Sequence, residues 1–171
     1  AESENMLKKV PKILSGLAGE HIQSILFTGC GYSYAACLAI KNAFQRITKL
    51  PVQVLPAIEV SRFTDLGNPG LSSTLLIAIS YSGEVSRINE ALALYQKHSA
   101  LTVGITGNLA SKMREYCRFL IPVSAPPMER ALPLRGFVMT YLALLSIGCT
   151  LAKMGNPAFS VSEITSEIMR C

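Results

Sequence analysis

The chain has 171 residues, of which 50% are hydrophobic and 16% are charged, and it carries a net charge of +5 at pH 7. Because the charged fraction lies below the roughly 25% of an ordinary soluble domain, the chain has ample apolar surface to bury and intrinsic disorder is excluded. The basic residues form no dense run and no basic-aromatic alternation, which excludes the usual pattern of a nucleic-acid partner.

Short apolar runs alternate with helical patterns along most of the chain. A helix over 3–17, interrupted at Pro11, comes first. The other predicted helices cover 33–45, 57–63, 82–98, 109–116, 134–154 and 161–169. The predicted strands cover 24–28, 52–55, 74–79, 101–105 and 119–123. Pro122 makes the fifth of these a candidate edge strand, because proline cannot donate a ladder hydrogen bond.

Five strands alternating with helices predict an α/β fold, a doubly wound five-stranded parallel sheet with helices on both faces. In such sheets ligands bind at the carboxyl ends of the strands, at the topological switch point. We expect an N-terminal helical segment over 1–21, one domain over 22–155 and a C-terminal helical extension over 156–171.

The longest apolar stretch, 137–152, is about 16 residues and falls short of the roughly 20 that a membrane helix needs, so we expect a buried helix and no membrane partner. The five cysteines are scattered without a CxxC pair, and the two histidines lie far apart. This pattern predicts free thiols in a cytoplasmic protein, with no metal and no cofactor.

Two loops at predicted strand ends carry chemistry. In the first, Gly29-Cys30-Gly31-Tyr32-Ser33, glycines allow the backbone close to a ligand at a helix N-terminus. The dinucleotide-binding fingerprint needs a small residue where the bulky Tyr34 stands. The alternative to a ligand-binding loop here is an ordinary glycine turn. In the second, Ser80-Tyr81-Ser82-Gly83-Glu84, two hydroxyls precede the backbone amides of 83–85, a set of donors suited to a dianion. The alternative is a plain helix N-cap in which Ser82 accepts from the Val85 amide.

Together the two loops resemble the phosphate-binding loops of the sugar isomerase (SIS) domain family, and the resemblance covers about 22–154. It is most similar in style to the first repeat of two-repeat phosphosugar isomerases and deglycases, and it implies a flavodoxin-like strand order. The resemblance implies these phosphate-binding residues: Gly31, Ser33, Ser80, Tyr81, Ser82 and Val85. Tyr81 stands where the family has glutamine, and Val85, where threonine is common, can offer only its amide. Arg135 stands where the family usually has a lysine, just before the last long helix.

An isomerase or deglycase of this family must move a proton next to a carbonyl, which needs a carboxylate or histidine about 3 Å from that carbon. Glu129, in the loop before the last long helix, is the first choice for this acid, and an ion pair with Arg130 or Arg135 is the alternative. Glu84 suits the dipole of a helix first turn. The remaining candidates are Glu59, His21 and His98, with structural roles expected for both histidines.

In two-repeat relatives the base and ring-opening residues lie largely in the second repeat or in a partner subunit. The resemblance therefore implies half of a longer protein, or a homodimer or higher homo-oligomer that completes its site. Two functions stay open. One is a phosphosugar isomerase or deglycase acting on a hexose or amino-sugar phosphate, and the other is a phosphosugar sensor module without chemistry.

Overall fold

The computed structural model describes residues 2–123 and 134–160, with side chains described from residues 8 and 136 onward in the two segments. The strands are β1 (Ser24–Gly29), β2 (Val52–Pro56), β3 (Thr74–Ile79), β4 (Leu101–Thr106) and β5 (Phe119–Pro122). The α-helices are α1 (Glu2–Ile13), α2 (Tyr32–Thr48), α3 (Ala57–Arg62), α4 (Ser86–Lys97) and α5 (Leu134–Gly155). Short 3-10 helices cover Leu14–Leu17, Pro69–Ser73 and Lys112–Glu115.

The five strands form one parallel sheet in the order β2-β1-β3-β4-β5. The chain moves from β1 outward to β2, then crosses back to β3 and continues to β4 and β5. The direction of winding therefore reverses between β1 and β3, which is the switch point of the sheet. The predicted doubly wound α/β fold is confirmed, and Pro122 lies on an edge strand as expected.

Both faces of the sheet are buried, because alternate residues of each strand enter different cores. From β3, Leu75 and Ile77 join a cluster with residues of α1, α2 and α5, whereas Leu76 and Ala78 join a second cluster with residues of α3 and α4. A parallel sheet covered on both sides needs near-continuous apolar strands, and this accounts for much of the apolar excess in the composition.

Helix α5 accounts for the rest of that excess. This helix has 22 residues and is therefore longer than the apolar stretch 137–152 of the sequence. Residues 136–155 are long and apolar enough to cross a membrane, with a mean hydropathy of 1.6. The prediction that this stretch is too short to cross a membrane was therefore wrong. Half of this stretch is buried within the domain, where Leu144 and Ile147 belong to the first core cluster beside α1 and α2.

Besides α4, whose start is described with the site below, two predicted helices differ from the structure. Helix α1 continues through Pro11 to Ile13, where a 3-10 turn follows. The helix predicted over 109–116 is wrong, since only a 3-10 turn forms there. Local side-chain hydrogen bonds prevent an α-helix here: Asn108 Oδ1 accepts from the Ala110 amide at 3.0 Å, and Ser111 Oγ donates to the Asn108 carbonyl at 2.6 Å. These side-chain bonds compete with helical ones. The predicted helix over 161–169 lies outside the described residues.

Candidate functional site

The two loops of interest leave the sheet side by side. Gly29 at the end of β1 is the register partner of Ile79 at the end of β3, so the β1 loop (29–33) and the β3 loop (80–85) start from neighbouring positions. The Ser80 amide donates to the Ile105 carbonyl at 3.0 Å, which extends the pairing with β4 by one residue. The structure thus brings the two loops together at the switch point, where ligands bind in sheets of this kind.

Glycine at two positions shapes the β1 loop. A Cβ on Gly29 would lie 2.8 Å from the Tyr34 amide nitrogen, so only glycine lets the first turn of α2 press against the end of β1. Gly31 is the N-cap of α2 and has a φ of 55°, a conformation that other residues rarely adopt. Helix α2 begins at Tyr32, which places the half-buried Ser33 in its first turn beside the sheet edge.

Ser80 and Ser82 are both engaged with the backbone of their own loop. Ser80 is 3% exposed, and the Gly83 amide donates to both its carbonyl oxygen at 3.0 Å and its Oγ at 3.1 Å. Ser82 is exposed, and its Oγ accepts from the Glu84 amide at 3.3 Å. Each serine oxygen accepts a hydrogen bond, which leaves the O–H proton as the donor that an anion requires.

The helix start predicted at Ser82 is wrong by four residues. Helix α4 begins at Ser86, its N-cap is Val85, and no side chain caps it. The chain turns at Gly83, where φ is 71°, so helical geometry cannot begin until after the turn. Two of the three amides expected to be free, those of Gly83 and Glu84, are held by the serines. The first amides of α4 follow at Val85, and helix-terminal amides have no partner within the helix.

Residues that the sequence analysis did not single out hold the β3 loop in place. The Tyr81 carbonyl accepts from the Gly107 amide at 2.9 Å and from Thr106 Oγ1 at 3.2 Å. The Gly83 carbonyl accepts from the Met113 amide at 3.2 Å and from Asn89 Nδ2 at 3.2 Å. The available signals were the threonine at the end of β4 and the asparagine inside an amphipathic helix.

Tyr81 and Val85 differ in what their side chains do. The Tyr81 ring is half exposed and lies against Gly107 and Gly136, where an added Cβ would approach it to 2.9 Å and 3.5 Å. It therefore spans from the end of β4 to the start of α5. The Val85 side chain packs on the core cluster beneath α3 and α4, so this residue can serve a ligand through its amide alone.

The acids and histidines weighed in the sequence analysis are not gathered at the loops. Glu84 Oε1 accepts from the Lys112 amide at 3.1 Å, which ties the β3 loop to the 3-10 turn after β4. Glu59 is exposed in α3. His21 precedes β1 and lies 2.8 Å from Gln23 through its Nε2, and His98 ends α4. Both histidines therefore lie toward the amino ends of the strands, away from the loops. Glu129 lies outside the described residues, as does the side chain of Arg135.

One thiol lies in the site. Cys30 is exposed within the β1 loop, and partial burial raises the pKa of its thiol above the usual value, so the group is neutral at pH 7. A neutral thiol adds no negative charge to a place suited to an anion. Within residues 2–123 and 134–160, no three His, Cys, Asp or Glu side chains are placed to hold a metal ion.

Comparison with known proteins agrees with this architecture. The chain is 27% identical over 164 residues to glutamine–fructose-6-phosphate aminotransferase (isomerizing) 2 of Mus musculus, an alignment covering 92% of this chain and 23% of that protein. The chain thus spans about a quarter of this relative.

Solved structures share the fold. The C-terminal domain of glucosamine-fructose-6-phosphate aminotransferase from Francisella tularensis superposes with a TM-score of 0.74 at 19% identity, covering 98% of this chain and 52% of that one. A structure from Clostridium difficile, provisionally named a phosphosugar isomerase, gives a TM-score of 0.82 at 16% identity over 98% of this chain and 47% of that one. The SIS domain family matches residues 20–163, and the chain belongs to that family.

Proposed function

We propose that the chain is a phosphosugar-binding domain that holds the phosphate of a hexose or amino-sugar phosphate between the β1 and β3 loops. The observation that carries this is the register of Gly29 with Ile79, which sets two loops rich in hydroxyls and amides side by side at the switch point. The names of the relatives, glutamine–fructose-6-phosphate aminotransferases of Mus musculus, Saccharomyces cerevisiae and Mycobacterium bovis among them, support the substrate class.

The phosphate dianion would receive hydrogen bonds from Ser33, Ser80 and Ser82 and from the Gly31 and Val85 amides. Hydrogen bonds to a charged acceptor are shorter and stronger than neutral ones, and the first turns of α2 and α4 add the positive ends of their helix dipoles. The Tyr81 ring takes the place of the family's glutamine and would border the sugar. No cofactor is needed for this binding.

We further propose that the domain works within a phosphosugar isomerase or deglycase in the cytoplasm, as part of a longer chain or of a homodimer or higher homo-oligomer. Isomerisation moves a proton between adjacent carbons through an enediol, and Glu129 is the acid we assign to it in this chain. The second candidate is a sensor domain that binds without chemistry. What favours it is that Glu84, the acid within the β3 loop, is engaged with the Lys112 amide.

Calorimetry with fructose 6-phosphate and glucosamine 6-phosphate tests the binding site. We expect Ser33→Ala and Ser80→Ala each to weaken binding by about 1.5–3 kcal/mol, roughly 10- to 150-fold, because each removes a hydrogen bond to a charged group. Ser72→Ala, an exposed serine in the turn before β3, is the matched control and should bind as the wild type does. Wild-type affinity in both loop variants would refute the assignment.

Turnover separates the two functions. An isomerase interconverts fructose 6-phosphate and glucose 6-phosphate in a coupled assay, and Glu129→Gln should lower that rate by about a hundredfold or more, the contribution typical of general acid-base catalysis. Binding without turnover, in the full-length protein, would support the sensor. Turnover that is unchanged in Glu129→Gln would show that another residue moves the proton.

A further inference from the structure

Asn89 is a buried polar residue that is not among the proposed phosphate-binding residues. It lies on α4, one turn after the β3 loop, and is 8% exposed. Its Nδ2 donates to the Gly83 carbonyl at 3.2 Å, while its Oδ1 has no hydrogen-bond partner among the described residues. A buried acceptor without a donor lowers stability, so a side chain that keeps one calls for an explanation.

The amide orientation of Asn89 is fixed by its contact with Gly83. Turning the amide by 180° would set Oδ1 against the Gly83 carbonyl oxygen, and two acceptors would then face each other. The unpaired Oδ1 is therefore the cost of donating to this one carbonyl. A second donor, the Met113 amide, reaches the same oxygen at 3.2 Å.

The bond to Gly83 determines which way the next amide points. In a planar trans peptide the C=O and N–H groups point in opposite directions. Holding the Gly83 carbonyl inward, against Asn89 and Met113, therefore turns the Glu84 N–H outward, where it meets Ser82 Oγ at 3.3 Å. A flipped peptide would present a carbonyl oxygen at the mouth of the loop, and that oxygen would repel an anion.

The need for a fixed peptide is greatest at this position. Gly83 has a φ of 71°, and glycine has access to more backbone conformations than any other residue. Without a constraint from outside the loop, the planar Gly83–Glu84 peptide unit is the one most free to flip, through ψ of Gly83 and φ of Glu84.

We propose that Asn89 is a positioning residue that holds the Gly83–Glu84 peptide with its N–H toward the anion site and its carbonyl away from it. This inference rests on the proposed phosphate-binding function, and it adds a residue that lies behind the site and touches no ligand. The peptide that it sets carries the Glu84 N–H, which donates to Ser82 Oγ and so leaves the Ser82 hydroxyl proton to donate to the anion.

Two variants test the proposal in the full chain. Asn89→Leu removes the donor together with the unpaired oxygen, and Asn89→Asp places a carboxylate against the Gly83 carbonyl at nearly constant shape. We expect both to weaken binding of inorganic phosphate and fructose 6-phosphate by about tenfold, the size of one hydrogen bond. We expect Asn89→Leu to unfold at the same or a higher urea concentration than wild type. Asn42→Asp, on the exposed side of α2, controls for the added charge and should leave binding unchanged.

A signal that needs no ligand separates this proposal from the proposed function. The Glu84 amide should shift in the ¹⁵N–¹H spectrum and exchange with solvent about tenfold faster in Asn89→Leu, with amides in β1 unchanged. Wild-type affinity in a folded Asn89→Leu variant, or an unmoved Glu84 amide, would overturn the role of Asn89. If the wild type binds neither probe, the proposed function fails and with it the ligand part of this inference.

Discussion

Gly83 is held by two separate constraints that make glycine necessary in the β3 loop. Its φ of 71° lies in the left-handed region, and a Cβ there would overlap with Ser111 Oγ and Cβ and lie 3.0 Å from Thr106 Oγ1. The first constraint concerns the backbone of one residue and the second concerns its neighbours. A substitution series can therefore separate them.

We expect Gly83→Ala to lower the free energy of unfolding by at least about 2 kcal/mol, since the left-handed backbone costs about 1–2 kcal/mol and overpacking costs about 1–3 kcal/mol. Urea unfolding measures the loss. Gly19→Ala is the matched control, because Gly19 has a φ of 86° with open space around it and should lose only the backbone part. Adding Ser111→Gly to Gly83→Ala should restore the overpacking part, and no recovery would mean that the backbone alone decides.

The residues of the two loops could be found from sequence, whereas the residues that hold the loops could not. Paired serines and glycines at strand ends are a local pattern. The bonds from Thr106 to the Tyr81 carbonyl and from Asn89 to the Gly83 carbonyl join residues through the fold. They exist only because β4 and α4 pack beside β3, and the position of an isolated threonine or asparagine in a sequence does not indicate such a partner.

At the level of elements, the strands agree with the sequence, and so do the starts of the α-helices that form, except that of α4. The β3 strand was predicted at Thr74–Ile79 and lies there, because five apolar residues bounded by the polar Thr74 and Ser80 have the length of a strand buried on both sides. The start of α4 moved from Ser82 to Ser86, because the left-handed turn at Gly83 and the two serine oxygens take the first amides out of the helix. A side chain and a helix can compete for the same backbone amide, and local geometry decides the outcome. Residue preferences for helix therefore do not predict where such a helix begins.

The contact between α2 and α5 depends on one aromatic ring. Phe44 is fully buried, meets the Phe27 ring edge-on at a centroid distance of 4.8 Å, and lies against Gly148, where a Cβ would come within 3.2 Å of the ring. The ring therefore joins β1, α2 and α5. The small residue on α5 makes room for the large one on α2.

We expect Phe44→Ala to lower the free energy of unfolding by about 3–5 kcal/mol, because it removes a large buried side chain and leaves a cavity between three elements. Leu38→Ala, on the same helix, is the matched control: Leu38 is 50% exposed and should change stability by about 0.5 kcal/mol or less. Urea or thermal unfolding compares the two. Equal losses would mean that α2 is held by its helix propensity and not by the ring.

Over the whole molecule, burial has the same effect on every thiol and phenol whose pKa it shifts among the described residues. Burial raises the pKa of Cys37 and of Cys117 to about 12 each, and a hydrogen bond of the Cys37 thiol with its own backbone opposes this only in part. Burial also raises the pKa of Cys149 and of Tyr95, against smaller opposing effects of Lys153 and Thr64. In each case the folded protein disfavours the anion. Together these groups lower the free energy of unfolding at alkaline pH.

We expect the free energy of unfolding to be independent of these thiols below about pH 8, where they are protonated in both states, and to fall from about pH 8 toward 12, where the unfolded chain loses its protons first. The slope for Cys37 and Cys117 approaches about 1.4 kcal/mol per pH unit for each thiol, since one pKa unit is about 1.4 kcal/mol. Urea unfolding with a reducing agent at pH 7, 8, 9, 10 and 10.5 measures this slope.

Replacing both Cys37 and Cys117 by alanine lowers stability at pH 7 because it opens space in the core, yet it should flatten the decline at alkaline pH. Cys30→Ala, at an exposed thiol, should change the slope least. A double variant with the wild-type slope would assign the alkaline loss to other groups, Tyr95 first among them.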